Sequence, residues 1–207
     1  MNDVRNLHNI DEVLVELNQR CTISAKSIQI VLIGGCSRSG KSTLAQELAE
    51  KCTYAGIPCQ IMNIDSWLVS VDKRKPFSTV IERFDMVAVN LAVERIVKGQ
   101  IVTPPVYNPI TRRQIPGIGN DPISITSGIL IIDGVITLAD ENLVKKSDFR
   151  IFVKISEYKR LRRLIDFYGR IKKIPREEYK KIIREREKEE VPLIKESSTR
   201  ADVIFEW

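Results

Sequence analysis

The residues with the clearest chemical potential form a glycine-rich segment that matches the pattern GxxxxGK[ST] in full. It reads Gly35-Cys36-Ser37-Arg38-Ser39-Gly40-Lys41-Ser42, followed by Thr43. Its two glycines permit backbone angles that let successive N–H groups point at one phosphate. Lys41 can reach the β- and γ-phosphates, and the Ser42 hydroxyl can ligate Mg²⁺. The segment predicts a binding loop for ATP with Mg²⁺, in which Arg38 either adds positive charge or faces solvent.

The loop stands between the two elements that such a motif requires. Residues 28–33 (IQIVLI) form a continuous apolar, β-branched run, typical of a parallel strand buried on both faces. Residues 41–55 predict a helix whose positive dipole end faces the same anion. This context favours a phosphate-binding loop over a merely structural glycine turn.

Two aspartates at predicted strand ends supply further groups for phosphoryl transfer. Asp133 ends the apolar run LIID, where ligands bind in open α/β sheets, and is predicted to ligate Mg²⁺ with Ser42. Asp65 ends a second predicted strand, which we expect beside the first, so that its carboxylate faces Lys41 across the γ-phosphate. The alternative for Asp133 is a turn at the end of its strand, and for Asp65 an N-cap or turn role. The only histidine, His8, precedes the predicted domain, which leaves Asp65 as the candidate base.

Composition sets the class of protein without naming its partner. The chain has 207 residues, 43% hydrophobic and 29% charged, which fits one soluble α/β domain. The formal net charge of +6 suits a phosphate-rich partner, and ATP and nucleic acid both meet that description. Four cysteines form no CxxC pair, so we expect free thiols in a reducing cytosol. The chain shows no signal-like core and no apolar run of membrane-spanning length, so we predict a cytoplasmic protein without a membrane partner.

Strand patterns alternate with helical patterns along the chain. They predict a P-loop NTPase-type α/β fold: a doubly wound, mostly parallel sheet with helices on both faces and a small helical lid. Residues 1–26 are expected to form an N-terminal helical extension, and 27–207 a single domain. The segments 66–84 and 108–122 are expected to be irregular, and 101–107 to be an edge strand or loop. Strands are predicted at 28–33, 57–64, 128–134, 149–155 and 201–205, and helices at 10–20, 41–55, 86–98 and 157–190, the last broken near Gly169 and Pro175.

With these residues placed, the chain from about 28 to 205 resembles the uridine kinase and phosphoribulokinase family. The similar segments are IVLIGGCSRSGKST, NIDSW, RFD, GQIVTPPVYNPITRR, IIDGVITL, KRLRRLIDFYGR and ADVIF. The resemblance implies Asp65 as the base, working with Lys41. It also implies a lid over about 157–175, whose Arg162, Arg163 and Arg170 close on the ATP phosphates. On the acceptor side it implies a pocket of Asp65, Trp67, Phe84, Asp85, Tyr107 and Arg112, with Asp85 binding sugar hydroxyls.

The acceptor segment departs from the family pattern. A uridine kinase carries an aromatic residue and a histidine after the pocket tyrosine, and here Pro109 and Arg112 stand at those positions. Leu68 replaces a tyrosine near the base. These changes spare the ATP side and indicate an altered acceptor pocket. Arg112 and Arg113 would suit an anionic acceptor such as a carboxylate or a phosphosugar, the alternative being two exposed loop arginines.

The sequence therefore predicts an ATP-dependent phosphotransferase acting on a hydroxyl of a nucleoside, sugar or other alcohol. The alternative is a P-loop ATPase with a nucleic-acid-binding or regulatory role, motivated by the pI of about 9.2. Interleaved acids in 157–190 and the lack of a basic surface with aromatic residues weigh against nucleic acid. A GTPase switch would need an Asn-Lys-x-Asp motif, which the sequence lacks. Members of the family are often oligomers, so a homo-oligomer is an open alternative to a monomer.

Overall fold

A parallel six-stranded sheet forms the centre of the computed structural model, which describes residues 4–23 and 26–207. The strands in chain order are β1 (Arg5–Leu7), β2 (Ile28–Gly34), β3 (Cys59–Asn63), β4 (Pro105–Asn108), β5 (Arg113–Gly119), β6 (Gly128–Asp133), β7 (Phe149–Lys154) and β8 (Val203–Glu206). Their order in the sheet is β1-β8-β7-β2-β6-β3, with every neighbouring pair parallel. Every residue of β2 is buried, as its unbroken apolar run predicts.

Helices cover both faces of this sheet, which confirms the predicted doubly wound α/β fold. The helices are α1 (Ile10–Ile23), α2 (Lys41–Tyr54), α3 (Met86–Val97), α4 (Glu141–Lys146), α5 (Glu157–Asp166) and α6 (Arg176–Ser197). One face of the sheet packs against α1 and α2, through buried side chains such as Leu17 and Leu44. The other face packs against α3, α4 and α6, through Ile96, Leu143 and Ile194.

The order of the strands corrects one prediction. The strand that precedes Asp65 does not lie beside the phosphate-loop strand, because β6 stands between β2 and β3. Asn63 on β3 pairs in register with Asp133 on β6, and Asp133 pairs with Ile33 on β2. The carboxyl ends of the three strands therefore meet at one edge, with Asp133 in the middle.

The predicted loop 108–122 is largely a β-hairpin, so that prediction is wrong. β4 and β5 pair antiparallel outside the main sheet, with a register shift between Pro105 and Val106. The shift accommodates the Pro-Gly pair of β5, which a regular ladder would not tolerate. At the turn, the Asn108 side chain accepts hydrogen bonds from two backbone N–H groups, and this local cap replaces the glycine expected of a hairpin.

The lid follows the predicted break closely. After α5, residues Phe167–Ile171 form a π-helical turn that contains Gly169, and Pro175 stands just before α6. The lid has its own apolar cluster, centred on Leu164, Tyr168 and Ile183. α6 continues past the predicted end to Ser197 in spite of Pro192 within it.

The N-terminal segment packs directly on the rest of the chain. β1 pairs with β8 at the edge of the sheet, and Val13 and Leu17 of α1 are buried in the core. β1 and α4 are short elements that the sequence patterns do not reveal. Among the described residues, no helix is both long enough and apolar enough to cross a bilayer.

Candidate active site

The glycines of the phosphate loop are required by its geometry. Gly35 and Gly40 have φ angles of 141° and 102°, which disfavour residues with side chains. A β-carbon on Gly35 would lie 2.5 Å from the Val153 carbonyl oxygen, and one on Gly40 would lie 2.4 Å from the indole nitrogen of Trp207. The tight turn leads directly into α2. Since Gly40 has no side chain to cap that helix, its first N–H groups remain open to an anion.

Lys41 is folded into the loop and buried. Its Nζ donates to the Cys36 carbonyl oxygen at 3.2 Å, a contact that a phosphate oxygen can replace. The Cys36 side chain belongs to the core, so this residue serves the loop through its backbone. The Ser39 hydroxyl is buried without a hydrogen-bond partner among the described residues. A buried unpaired hydroxyl and a buried cation fit a site for a phosphate group.

Ser42 and Asp133 form the candidate metal site. Asp133 is 2% exposed, and burial raises its pKa, while the nearby Lys41 ammonium and a hydrogen bond from Ser42 lower it. Asn63 donates to Asp133 Oδ1 at 3.4 Å. The described residues hold no cluster of three or more metal-binding side chains. One hydroxyl and one carboxylate fit Mg²⁺, which takes few protein ligands and fills the rest of its shell with phosphate oxygens and water.

Asp65 lies in a short 3₁₀ turn, Ile64–Trp67, directly after β3. The Asn63 side chain accepts a hydrogen bond from the Asp65 backbone N–H at 2.8 Å and so holds the turn. Asp65 lines the cavity and is exposed there. Removal from bulk water raises its pKa, and the charges of Lys41, Arg186 and Arg38 oppose the rise. A carboxylate with a raised pKa is better suited to accept a proton.

Two cationic side chains, one from the lid and one from the phosphate loop, join these segments. Arg163 of α5 donates to the carbonyl oxygen of Arg38 at 3.3 Å, and the Arg38 guanidinium stacks on the Phe167 ring at 3.5 Å. Arg38 therefore lines the cavity, although the residue is also exposed, and a role for its charge at the nucleotide stays a prediction. Its stacking on the lid ties the loop to the π-helical turn.

These groups line one cavity of about 1530 Å³. Beyond the phosphate loop the cavity is lined by residues 63–84, the β4–β5 hairpin and α6, including Phe84, Tyr107 and Arg112, and we name this part the acceptor side after its predicted role. Arg74 donates to the Tyr107 hydroxyl at 3.2 Å and to the Val69 carbonyl at 2.9 Å. The predicted residues that line it are Ser37, Arg38, Gly40, Lys41, Ser42, Thr43, Asp65, Phe84, Tyr107, Arg112, Asp133 and Arg163.

Seven residues named from the sequence do not line the cavity, and three of them, Gly35, Cys36 and Ser39, belong to the phosphate loop itself. Trp67 is 5% exposed and packs in the core, whereas Asp85 caps α3 by accepting the Ala88 N–H at 2.9 Å. Arg162 is exposed on α5 and does not line the cavity. Arg170 pairs with Asp166 at 3.1 Å on the surface, with its side chain 87% exposed.

Sequence reasoning missed several residues that line the cavity. Arg186 of α6 acts electrostatically on Asp65 and pairs with Glu190 at 3.6 Å. The charged run 172–190 predicts a solvated helix face, so the sequence did not indicate that Arg186 lines the cavity. Asn63, Arg74 and Lys172 were also missed. Only Asn63 carried a usable signal, because it stands two residues before Asp65 at a strand end.

Comparison with known proteins identifies a family of kinases and solved structures with the same fold. Residues 30–207 match the Phosphoribulokinase / Uridine kinase family. Among curated protein sequences, none matches this chain. Solved structures similar to it include a candidate fructose transport system kinase from Silicibacter sp. TM1040, with a TM-score of 0.75 and 16% identity, covering 97% of this chain and 100% of that one.

Two further structures share the fold. A candidate uridine kinase from Bacillus stearothermophilus has a TM-score of 0.63 and 22% identity over 95% of this chain and 96% of its own. D-glycerate 3-kinase from Cryptococcus neoformans var. grubii has a TM-score of 0.65 and 11% identity over 89% of this chain and 86% of its own. The family match spans the phosphate loop, both aspartates and the lid. The chain therefore belongs to the Phosphoribulokinase / Uridine kinase family of P-loop kinases.

Proposed function

We propose that this kinase transfers the γ-phosphoryl group of ATP to a hydroxyl group of a small molecule, with Mg²⁺. The observation that carries the proposal is that Asp65, Lys41, Ser42 and Asp133 line one cavity, which extends beyond the phosphate loop to a separate acceptor side. A nucleic-acid-dependent ATPase would also need a group to activate water, but it would have no use for an acceptor side next to the γ-phosphate.

The chemistry divides between these residues. Asp65 accepts the proton of the acceptor hydroxyl as its oxygen bonds to the γ-phosphorus and the bond to the β–γ bridging oxygen breaks, releasing ADP. Lys41 and the α2 N-terminus hold the phosphates in line, and Arg163 and Arg186 offset the negative charge on the transferred group. Ser42 and Asp133 would hold Mg²⁺, which would supply further charge neutralisation.

The contact between the lid and the hairpin limits how much water reaches the phosphoryl group. Lys172 of the lid donates to the Pro109 carbonyl oxygen in the hairpin, so a hydrogen bond joins the lid to the acceptor side. A closed cavity favours transfer to an alcohol over hydrolysis, because it excludes competing water.

An ADP-release assay over a panel of alcohols tests the proposal, with uridine, cytidine, sugars, pantothenate-like alcohols and hydroxy acids included. Asp65→Asn is expected to lower kcat about 10²-fold or more while nucleotide still binds, the usual cost of losing a base. Asp85→Asn is the matched control, because asparagine also caps a helix and Asp85 lies outside the cavity. Equal activity of Asp65→Asn and the unaltered protein would overturn the proposed role of Asp65.

A further inference from the structure

Basic side chains outnumber acidic ones in the lining of the cavity. Nine basic and five acidic side chains line the cavity as a whole. Arg83 is ion-paired with Glu189, and Arg186 is paired with Glu190 at 3.6 Å. Asp65 and Asp133 are already assigned to the base and the metal site. The remaining cations therefore decide what kind of acceptor the cavity suits.

Arg74 is the first of these cations. It is half-buried, and its guanidinium donates only to neutral oxygens, those of Val69 and Tyr107. No carboxylate of the described residues forms an ion pair with it. The ionisable groups that act on it are Tyr107, Arg112 and Arg83, none of which belongs to the phosphate loop. Arg74 therefore serves the acceptor side and not the nucleotide side.

Arg112 is the second cation, and its backbone is held in an unusual conformation. It has a φ of 58°, a left-handed value that an arginine rarely adopts. Its N–H donates to the Asn108 carbonyl at 2.8 Å, and its own carbonyl accepts from the Val71 N–H at 2.9 Å. These two bonds fix the turn, which presents Arg112 to the cavity. The neighbouring Arg113 is instead paired with Asp72 at 3.5 Å outside the cavity.

Lys172 adds a third cation from the lid. Burial, followed by the charges of Arg186, Arg112 and Arg38, lowers the pKa of Lys172 to about 8. Cations that repel one another in a partly buried site are relieved when an anion binds between them. A folded protein tolerates such repulsion between cations at a functional site, because a bound ligand of opposite charge offsets it.

We propose that the alcohol acceptor carries an anionic group, a carboxylate or a phosphate, which Arg74 and Arg112 bind at the acceptor side of the cavity. The inference rests on the proposed function, because it names the substrate class of the same site. Guanidinium groups recognise both anions through paired N–H donors, so the acceptor is a hydroxy acid or a phosphorylated alcohol.

Matched acceptor pairs test this inference. D-glycerate is compared with glycerol, and ribose 5-phosphate with ribose, by ADP release and, with a non-hydrolysable ATP analogue bound, by calorimetry. At least one anion is expected to bind about tenfold or more tightly than its neutral partner, the range for one charged hydrogen-bonded contact. The pair that responds distinguishes a carboxylate from a phosphate.

The variants Arg112→Gln and Arg113→Gln distinguish binding of the anion by Arg112 from a general effect of losing one positive charge. Arg112→Gln is expected to raise KM for the anionic acceptor about tenfold or more and leave the Kd of the ATP analogue unchanged. Arg113→Gln is expected to change neither, because its partner is the exposed Asp72. If neither anion binds tenfold better than its neutral partner, or if both variants behave alike, the inference is wrong. Anion binding without turnover of any alcohol would instead contradict the proposed function alone.

Discussion

Asn63 holds Asp65 in place: its side-chain oxygen accepts the Asp65 backbone N–H at 2.8 Å. The same side chain donates to Asp133 at 3.4 Å, so one amide links the candidate base to the candidate metal ligand. An aspartate at position 63 would accept the first bond but could not donate the second. The amide thus fixes the spacing of two carboxylates that would otherwise repel each other.

Removal of this link should slow the reaction without preventing nucleotide binding. Asn63→Ala is expected to lower kcat about tenfold, because the turn that carries Asp65 loses a cap worth about 1 kcal/mol. The KM for ATP should change little. ADP-release kinetics test this, with Asn90→Ala on α3 as the control. A fall in ATP binding as large as the fall in kcat would contradict a positioning role.

The acid limb of the pH profile should report Asp65. Its pKa is raised by burial, so the protonated, inactive form persists to a higher pH than for an ordinary aspartate of about 3.9. Activity is therefore expected to be lost as pH falls through this raised pKa, with a midpoint above 3.9. Measurement of kcat/KM across the acid range, in mixed buffers of constant ionic strength, tests it.

The same raised pKa has a consequence for stability. Folding favours the protonated carboxyl, so its stabilising contribution is present at low pH and lost as pH rises through the folded-state pKa. Asp65→Asn, which cannot ionise, is expected to have a slightly higher Tm than the unaltered protein at pH 7. The difference should shrink towards acid pH. A lower Tm at pH 7 would show that the attraction of Lys41 and Arg186 outweighs burial.

The lid arginines should differ sharply in effect. Arg163→Ala is expected to lower kcat about tenfold or more, because its guanidinium lies over the phosphate loop. Arg170→Ala should leave kcat nearly unchanged, since Arg170 pairs with Asp166 at the surface. Single-turnover kinetics at saturating ATP provide the measurement. Equal losses in the two variants would indicate that Arg170 reaches the phosphates in another lid position.

The glycines of the chain allow a matched test of the loop. Gly35→Ala should abolish nucleotide binding, because its β-carbon would lie 2.5 Å from the Val153 carbonyl oxygen. Gly56 has a φ of 76°, but nothing lies within 4 Å of a β-carbon added there. Gly56→Ala should therefore lower the free energy of unfolding by only about 1 kcal/mol. Calorimetry with ATP and thermal unfolding separate the two effects.

The nucleotide side could be predicted from the sequence, because it depends on local order along the chain. A buried strand, a glycine-rich turn and a helix follow one another directly from 28 to 54. Asp65 and Asp133 were also predictable as ends of strands. The position of β6 between β2 and β3 could not be predicted, because strand order depends on contacts between distant segments.

The acceptor side was harder to predict for a physical reason. The hairpin is held by the Asn108 side chain and by a bulge, and neither has a strong sequence pattern. In the lid, Arg163 and Arg170 are seven residues apart and would share a face of a regular helix. The π-helical turn Phe167–Ile171 changes that register, and Arg170 leaves the site. Arg186 was missed because a charged helix gives no sign of which face it turns inward.

The β4–β5 hairpin lies outside the six-stranded sheet and shares none of its ladders. Changes of length or side chain within it leave the hydrogen bonds of β2, β6 and β3 undisturbed. A lineage could therefore exchange this hairpin and acquire a new acceptor while it retained the machinery that holds and activates ATP. Under the proposed function, the choice of substrate can thus diverge without loss of phosphoryl transfer.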